Sequence, residues 1–262
     1  MVRKLNKKNN NQINNSVIDS ISICVPAEQK INEKNIENLD FLNFIGVKKR
    51  FFDTSGNIKT SDLCIEAAKK LIKNEKVKKH DIDFIVFVSQ TRDFLFPSTS
   101  CIIQNKLNLK KEIICLDIPF GCSGYLYGLY ISLLISNNIK KNGMLLSGDM
   151  SSKFINHDDK KLKSLFGDAG SATFIRYDKK KQYKSFFKFG TDGSGFNNLL
   201  YENDGFTKNI STNLYMDGPK IFEFAIKEIP KQFKELLSLS KLKITNIDYF
   251  IFHQANKFIL ET

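Results

Sequence analysis

Short apolar runs alternate along the chain with segments whose apolar residues recur at helical spacing. Continuous runs rich in β-branched and aromatic residues, which predict buried strands, are Ile82–Val88 and Ile113–Ile118. Further strands are predicted at Val17–Val25, Met144–Ser147, Ser171–Tyr177 and Ser185–Phe189. Helices are predicted from a cap at Thr60 or Ser61 through Ile72, at Ser98–Leu107 and at Ser123–Ser136. Strands that alternate with helices indicate an α/β fold with a largely buried sheet.

One apolar run occurs twice. Ile82–Phe87 has the sequence Ile-Asp-Phe-Ile-Val-Phe, and Ile247–Phe252 has the sequence Ile-Asp-Tyr-Phe-Ile-Phe. Chance similarity between Ile-rich strands is one explanation, and duplication is the other. A duplication predicts two similar halves, 16–178 and 179–262, after a disordered polar tail over 1–15. Because the first half continues long after its copy of the run, the second half is expected to be incomplete at Thr262.

The bulk composition is that of a globular protein. The 262 residues are 42% hydrophobic and 26% charged, which is enough for one large domain or two fused half-domains. No apolar run reaches the roughly 18 residues of a membrane-spanning helix, and no secretory leader is seen, so we expect a cytoplasmic location and no membrane partner. The net charge of +12 comes almost entirely from scattered Lys, which favours an acidic protein partner over nucleic acid.

The five cysteines, Cys24, Cys64, Cys101, Cys115 and Cys122, are irregularly spaced and form no CxxC pair. This spacing argues against a zinc site, and the lack of a secretory leader argues against a disulfide framework. We expect neither a metal nor a cofactor. The open question is which cysteine, if any, is a reactive thiol and not a small buried apolar side chain.

Cys122 follows a predicted buried strand and lies in a Gly-flanked turn at the start of a helix. Unpaired backbone N–H groups and the positive end of the helix dipole are expected to favour the thiolate there, and the thiolate is the nucleophilic form. Gly121 and Gly124 are expected to leave room for a substrate near the sulfur. The alternative is an ordinary strand–helix turn that contains a buried cysteine.

His253 is one of three histidines, and it alone follows a predicted buried strand, because His80 and His157 lie in polar loops. Polar side chains at strand ends are where α/β sheets place their sites. A structural histidine is the alternative explanation, and the presence of Cys122 favours the functional one.

Several motifs resemble those of β-ketoacyl-acyl carrier protein synthase III. The most specific are Phe120-Gly121-Cys122-Ser123-Gly124 and His253-Gln254-Ala255-Asn256. Weaker similarities are Phe96-Pro97-Ser98, Phe166-Gly167-Asp168-Ala169-Gly170, Asp192-Gly193-Ser194-Gly195 and Met216-Asp217-Gly218. The similarity extends from Val17 to Thr262.

This resemblance implies a thiolase-like fold, in which two similar βαβ-type halves form five layers, and a homodimer. It also implies that Cys122 takes the acyl group from an acyl thioester, with its own backbone N–H in the oxyanion hole. Malonyl-acyl carrier protein then loses CO₂, His253 and an Asn stabilise the enolate, and its carbon attacks the acyl-enzyme. The implied partners are acyl carrier protein and an acyl-CoA or acyl-carrier thioester.

Residues assigned to substrate binding through the same resemblance are Phe96, Gly121, Asn256 and Lys257. Phe96 resembles the residue that reaches the acyl pocket of the partner subunit, and an ordinary core aromatic is the alternative. Phe44 occupies the position of an Arg that grips CoA, and Lys257 and Phe258 occupy a region where the family commonly has another Arg. CoA is therefore expected to be a poor donor, and a carrier-bound primer is possible.

The family's catalytic Asn lies in a Gly-Asn-Thr segment beyond the His motif, and a late glycine loop supplies a second oxyanion donor. Neither segment occurs before Thr262, so the activity of these residues alone stays open. Two other functions remain as alternatives. One is a non-catalytic thiolase-fold subunit of a heteromeric enzyme, against which the presence of both Cys122 and His253 argues. The other is acyl transfer to a small-molecule or sugar-linked acceptor.

Overall fold

The computed structural model describes residues 12–32, 39–74, 77–156, 158–181, 183–201 and 214–262. Within them the helices are α1 (Leu39–Ile45), α2 (Thr60–Asn74), α3 (Thr99–Lys106), α4 (Gly124–Ile139), α5 (Lys160–Leu165), α6 (Gly218–Ser240) and α7 (Lys257–Glu261). The strands are β1 (Gln12–Asn14), β2 (Ser16–Cys24), β3 (Gln29–Ile31), β4 (Lys49–Phe51), β5 (Ile82–Val88), β6 (Ile114–Ile118), β7 (Asn142–Met150), β8 (Asp168–Tyr177), β9 (Lys184–Phe186), β10 (Leu199–Leu200) and β11 (Tyr215–Met216). None of these helices is both long and apolar enough to cross a membrane.

The core is a five-stranded sheet with the strand order β2-β8-β7-β5-β6. β5 lies parallel to β6 and β7, whereas β8 is antiparallel to both β7 and β2. The predicted α/β class is confirmed. The continuous apolar run at 82–88 forms a central strand in which only Asp83 is not fully buried, as expected for a strand covered on both faces.

Helices cover both faces of this sheet because successive strand residues point to opposite sides. Leu71 of α2 and Ile103 of α3 share one buried cluster with Phe87. Leu133 of α4 belongs to a second cluster with Val86 on the opposite face. The backbone N–H of Ser89 donates to Ile118 O at 3.2 Å, so the C-terminal ends of β5 and β6 lie together near the start of α4.

Two glycines allow α4 to approach the sheet closely. A Cβ atom on Gly124 would lie 2.6 Å from Val88 Cγ1, and one on Gly128 would lie 2.7 Å from Leu145 Cδ1. Both distances are shorter than carbon atoms tolerate without a shift of the helix or the strand. Gly124 therefore serves helix–sheet packing, and the room that it was expected to leave for a substrate stays a prediction.

The polar tail is shorter than predicted. Gln12–Asn14 form β1, which pairs with β9, and Ile13 is buried. One apolar side chain within the polar run is enough to anchor this strand. The remaining residues of the predicted tail, 1–11, lie outside the described residues.

Thr60 and Ser61 do not cap α2. Thr60 Oγ1 donates to Thr91 O at 2.8 Å, and Ser61 Oγ donates to Asp93 Oδ2 at 2.6 Å. Asp62 instead accepts the backbone N–H of Lys59 at 3.0 Å. The two hydroxyls therefore hold the loop that follows β5.

Ile247–Phe252 is not a strand, although its sequence repeats that of the central strand. No described residue pairs with it, and Tyr249 and Ile251 are 84% and 93% exposed. A strand needs ladder hydrogen bonds from a neighbour, and an apolar pattern alone does not supply them. Phe250 contacts Phe233 of α6, with ring centroids 5.8 Å apart.

Candidate active site

Cys122 lies in a tight turn between β6 and α4. The N–H of Phe120 donates to Ile118 O at 3.0 Å, and the N–H of Gly124 donates to Gly121 O at 2.7 Å, which closes the turn around Cys122. Cys122 is exposed, and no carbonyl of another described residue accepts its N–H. This geometry confirms the predicted strand, turn and helix, and it leaves one N–H available beside the thiol.

The electrostatic environment of the thiol differs from the sequence prediction. Although Cys122 is exposed, neighbouring protein atoms displace part of the hydration of its sulfur, which raises the pKa of Cys122, and the nearby Asp149 carboxylate raises it further. The backbone N–H of Cys122 itself acts in the opposite direction and lowers this pKa. The Cys122 N–H thus favours the thiolate, as expected for this turn, whereas dehydration and the Asp149 carboxylate oppose it.

Asp149, at the C-terminal end of β7, organises the loop after β5. Its Oδ1 atom accepts hydrogen bonds from Ser89 Oγ at 2.9 Å, from the N–H of Gln90 at 2.7 Å and from the N–H of Thr91 at 3.1 Å. Burial raises the pKa of Asp149, and these hydrogen bonds lower it. Asp149 was not predicted as a site residue from the sequence. The pattern that identified His253, a polar residue at the end of a buried strand, also applies to Asp149.

The side chain of Gln90 occupies the space beside Gly121. A Cβ atom on Gly121 would overlap Gln90 Oε1 and would lie 2.8 Å from Gln90 Cδ. Gln90 is exposed, and its side-chain amide forms no hydrogen bond with any described residue. The room predicted beside Gly121 is therefore filled by an amide group that the sequence analysis did not identify.

His253 follows the irregular segment at 247–252 and is exposed. Although His253 is exposed, neighbouring protein atoms displace part of the hydration of its ring, which lowers the pKa of His253 and favours the neutral imidazole. Gln254 Nε2 donates to Phe252 O at 3.2 Å, next to the histidine. Of the other histidines, His80 lies 3.3 Å from Asp81 at the surface, and His157 lies outside the described residues.

Asn256 and Lys257 lie where α7 begins. Asn256 Oδ1 accepts the N–H of Ile259 at 2.8 Å and so caps the helix. Lys257 Nζ lies 3.7 Å from Glu261 Oε1. A Cβ on Gly46, whose φ is +71°, would lie 2.6 Å from Lys257 Cβ, so α7 packs directly against the end of α1. Both side chains thus have structural contacts beside their predicted substrate role.

Phe96 lies in the loop between β5 and α3 and is 80% exposed. This exposure contradicts the alternative that it is an ordinary core aromatic. Gly121 and Cys122 share one cluster with Gln90 and Asp149. No hydrogen bond joins Cys122 to His253 within the described chain.

The chain resembles known proteins in its sequence and in its structure. The family model for 3-oxoacyl-[acyl-carrier-protein] synthase III matches residues 116–193, which include the Cys122 turn. A beta-ketoacyl-[acyl-carrier-protein] synthase III of Fusobacterium nucleatum is 32% identical over 227 residues, which cover 82% of this chain and 68% of that relative. A protein of the same name from Ehrlichia canis is 31% identical over 258 residues, which cover 94% of this chain and 79% of that relative.

The chain belongs to the β-ketoacyl-acyl carrier protein synthase III family. The crystal structure of a 3-oxoacyl-(acyl-carrier protein) synthase from Burkholderia xenovorans LB400 matches this chain with a TM-score of 0.90 and 30% identity, over 95% of this chain and 76% of that chain. The predicted thiolase-like fold is confirmed. The chain is an acyltransferase of the condensing-enzyme type.

Proposed function

We propose that this chain forms a carbon–carbon bond by decarboxylative Claisen condensation of an acyl thioester with malonyl-acyl carrier protein, through an acyl-Cys122 intermediate. The observation that carries the proposal is the exposed Cys122 in a closed turn at the start of α4, with its own N–H available. An exposed sulfur beside a free backbone donor suits attack on a carbonyl carbon.

In the first half-reaction, the Cys122 thiol loses its proton to solvent, and the resulting thiolate attacks the thioester carbonyl carbon. The carbonyl π electrons move to oxygen, and the Cys122 N–H donates a hydrogen bond to that oxyanion. The tetrahedral species collapses, the bond to the donor sulfur breaks, and the carrier leaves as a thiolate that takes up a proton. The product is the acyl-Cys122 thioester.

In the second half-reaction, the malonyl thioester loses CO₂, and the electrons of the broken bond form an enolate. His253 is neutral at neutral pH because dehydration lowers its pKa, so one ring nitrogen carries a proton that it can donate in a hydrogen bond to the enolate oxygen. The enolate carbon attacks the acyl-Cys122 carbonyl. The Cys122 sulfur leaves, and the β-ketoacyl thioester is released.

Acyl carrier protein is the proposed macromolecular partner. The chain has 40 Lys and Arg against 28 Asp and Glu, so its field attracts an acidic carrier. Complementary charge of this kind accelerates encounter more than it tightens the complex. The carrier would deliver malonate and could also deliver the primer.

A homodimer is the proposed assembly. β6 is the last strand in the sheet order, and two of its side chains, Ile114 and Leu116, are 44% and 39% exposed. An edge strand with apolar side chains is a surface that proteins normally cover. A second copy of β6 related by a twofold axis would continue the sheet across the interface.

Acylation of the purified chain tests the proposed chemistry. Incubation with an acyl-carrier thioester should add one acyl group to Cys122, detected by intact mass and peptide mapping. Cys122→Ser should abolish the adduct, whereas Cys101→Ser, which alters the other exposed cysteine, should retain it. His253→Ala should still be acylated but should lose decarboxylation of the malonyl carrier. An adduct that survives Cys122→Ser contradicts the proposal.

A further inference from the structure

The loop that follows β5 has a rigid backbone beside the nucleophile. Asp149 Oδ1 accepts the N–H groups of Gln90 and Thr91, and Thr91 Oγ1 accepts the N–H of Met150 at 2.8 Å. The hydroxyl of Thr60 in α2 donates to Thr91 O at 2.8 Å. Three separate elements, β5, β7 and α2, therefore fix the backbone position of Gln90.

The Gln90 side chain, in contrast, has unused hydrogen-bonding groups. Its amide packs against the backbone of Gly121, the residue that precedes Cys122. It is exposed, and within the described ranges it neither donates nor accepts a hydrogen bond. The side-chain amide of Gln104, in contrast, is hydrogen-bonded within the protein: its Nε2 donates to Leu109 O at 2.8 Å and to Lys110 O at 3.1 Å.

The Gln90 amide contacts Gly121, so a substrate bound at the Cys122 sulfur reacts one residue away from it. A primary amide carries two N–H donors and one carbonyl acceptor. An apolar substrate group that covered the Gln90 amide would displace its water molecules without replacing their hydrogen bonds. The substrate would then bind more weakly. A substrate group with its own carbonyl or amide would replace that water.

We propose that the Gln90 side chain is a specificity-determining group, which hydrogen-bonds to a carbonyl or amide of the thioester bound at Cys122. This inference rests on the proposed acylation of Cys122. Besides the reacting thioester carbonyl, which all thioesters share, two parts of the molecule carry such a group close to the sulfur. One is the amide of a pantetheine-type arm, and the other is an oxygen on the acyl chain.

Three small thioesters separate these two sources. S-Butyryl-N-acetylcysteamine carries an arm amide, S-ethyl acetothioacetate carries a ketone on the acyl chain, and S-ethyl thiobutyrate carries neither. The test variant is Gln90→Met, which keeps the length of the side chain and its packing on Gly121 but removes both hydrogen-bonding groups. The rate of Cys122 acylation is measured by intact mass for each thioester.

We expect Gln90→Met to slow acylation by one of the two polar thioesters by about fivefold to tenfold relative to S-ethyl thiobutyrate, which is the net contribution of one hydrogen bond. Loss confined to the cysteamine thioester assigns the contact to the arm, and loss confined to the acetothioacetate assigns it to the acyl chain. The readout is the ratio of the acylation rates with different thioesters, because a structural effect on the turn would change all three rates alike.

Two controls accompany this comparison. Gln104→Met removes an amide whose hydrogen bonds lie within the protein, and it should leave the ratios between thioesters unchanged. Methyl methanethiosulfonate, which has no carbonyl group, should react with Cys122 equally fast in the unaltered chain and in Gln90→Met. An equal effect of Gln90→Met on all three thioesters, or no effect, overturns the assignment of Gln90 alone. Failure of every thioester to acylate Cys122 in the unaltered chain overturns the proposed function as well.

Discussion

The ring of Phe44 in α1 stacks on the ring of Phe258 in α7, with centroids 4.4 Å apart and planes inclined by 27°. Phe222 of α6 contacts Phe258 as well, with centroids 4.9 Å apart. Phe44 occupies the position where the family resemblance places a CoA-gripping Arg, and Phe258 lies in the region of another. Two rings packed against each other offer no positive charge to a CoA phosphate.

An acyl-carrier thioester should therefore acylate Cys122 faster than the same acyl group on CoA. Phe44→Arg should lower the KM for acyl-CoA by about threefold to tenfold, because one exposed cation beside a phosphate contributes about 0.5–1.5 kcal/mol. The gain should disappear at high salt, which screens an exposed charge pair. Phe44→Leu, which removes the ring without adding charge, is the matched control. Equal use of both donors by the unaltered chain would contradict this prediction.

Asp149→Asn should shift the pH dependence of Cys122 alkylation to lower pH. The carboxylate raises the pKa of Cys122, so removal of its charge lowers that pKa and increases the thiolate fraction at neutral pH. Asparagine keeps an Oδ1 atom, which can still accept the N–H groups of Gln90 and Thr91. The measurement is the rate of iodoacetamide labelling of Cys122 as a function of pH, by peptide mass spectrometry.

Two other cysteines provide internal references for that measurement. Burial raises the pKa of Cys64 to about 12, and dehydration together with Cys101 raises the pKa of Cys115 to about 11. Both thiols should stay almost unlabelled at neutral pH in either chain. Asp178→Asn changes a surface carboxylate paired with Arg176 and should leave the Cys122 profile unchanged. A profile that stays in place in Asp149→Asn would refute the electrostatic coupling.

Gly128→Ala should destabilise the protein by up to about 2 kcal/mol. Overpacking against Leu145 and Val88 costs about 1–3 kcal/mol, and removal of a glycine from a helix interior returns about 1 kcal/mol. Urea unfolding followed by circular dichroism measures the free energy of unfolding. Gly193→Ala is the control, since its Cβ would meet nothing within 4 Å and should change stability by less than about 0.5 kcal/mol. Equal stability of the two variants would argue against close packing of α4.

Leu116→Asp should convert the proposed dimer into a monomer. A carboxylate on the edge strand β6 would be buried without a partner at a twofold sheet interface, which proteins avoid. Sedimentation velocity over a range of protein concentrations measures the assembly state. Ile31→Asp, a change of another exposed apolar residue in the two-stranded β3–β4 sheet, should leave the dimer intact. Persistence of the dimer in Leu116→Asp would place the interface elsewhere.

Local sequence pattern predicted the parts of the fold whose signal is local. Ile82–Val88 was predicted with its observed bounds because burial on both faces leaves an unbroken apolar run. The same pattern failed at 247–252, since a strand also needs a neighbour, and pairing is a long-range property. The turn around Cys122 was predictable because its glycines and the following helix are contiguous in sequence.

The environment of that turn was not predictable in the same way. The hydrogen bond from Gln90 N to Asp149 Oδ1 joins residues 59 positions apart, and nothing in either local segment indicates the other. Dehydration and this non-local carboxylate both raise the pKa of Cys122, and neither is visible in the sequence around the turn. Gln90 was missed because a polar residue after a strand has no distinctive spacing relative to Gly121.

The segment Tyr249–Phe252 has a consequence for handling the protein. Four consecutive aromatic and aliphatic side chains, free of charge and of proline, leave their backbone groups without ladder partners in the described chain. Such a stretch can form intermolecular β-sheet hydrogen bonds with another apolar strand, including its own copy on a neighbouring molecule, and so promote aggregation. Turbidity should therefore rise steeply with protein concentration and on mild warming. Ile251→Lys, which changes the most exposed of these side chains, should suppress this rise.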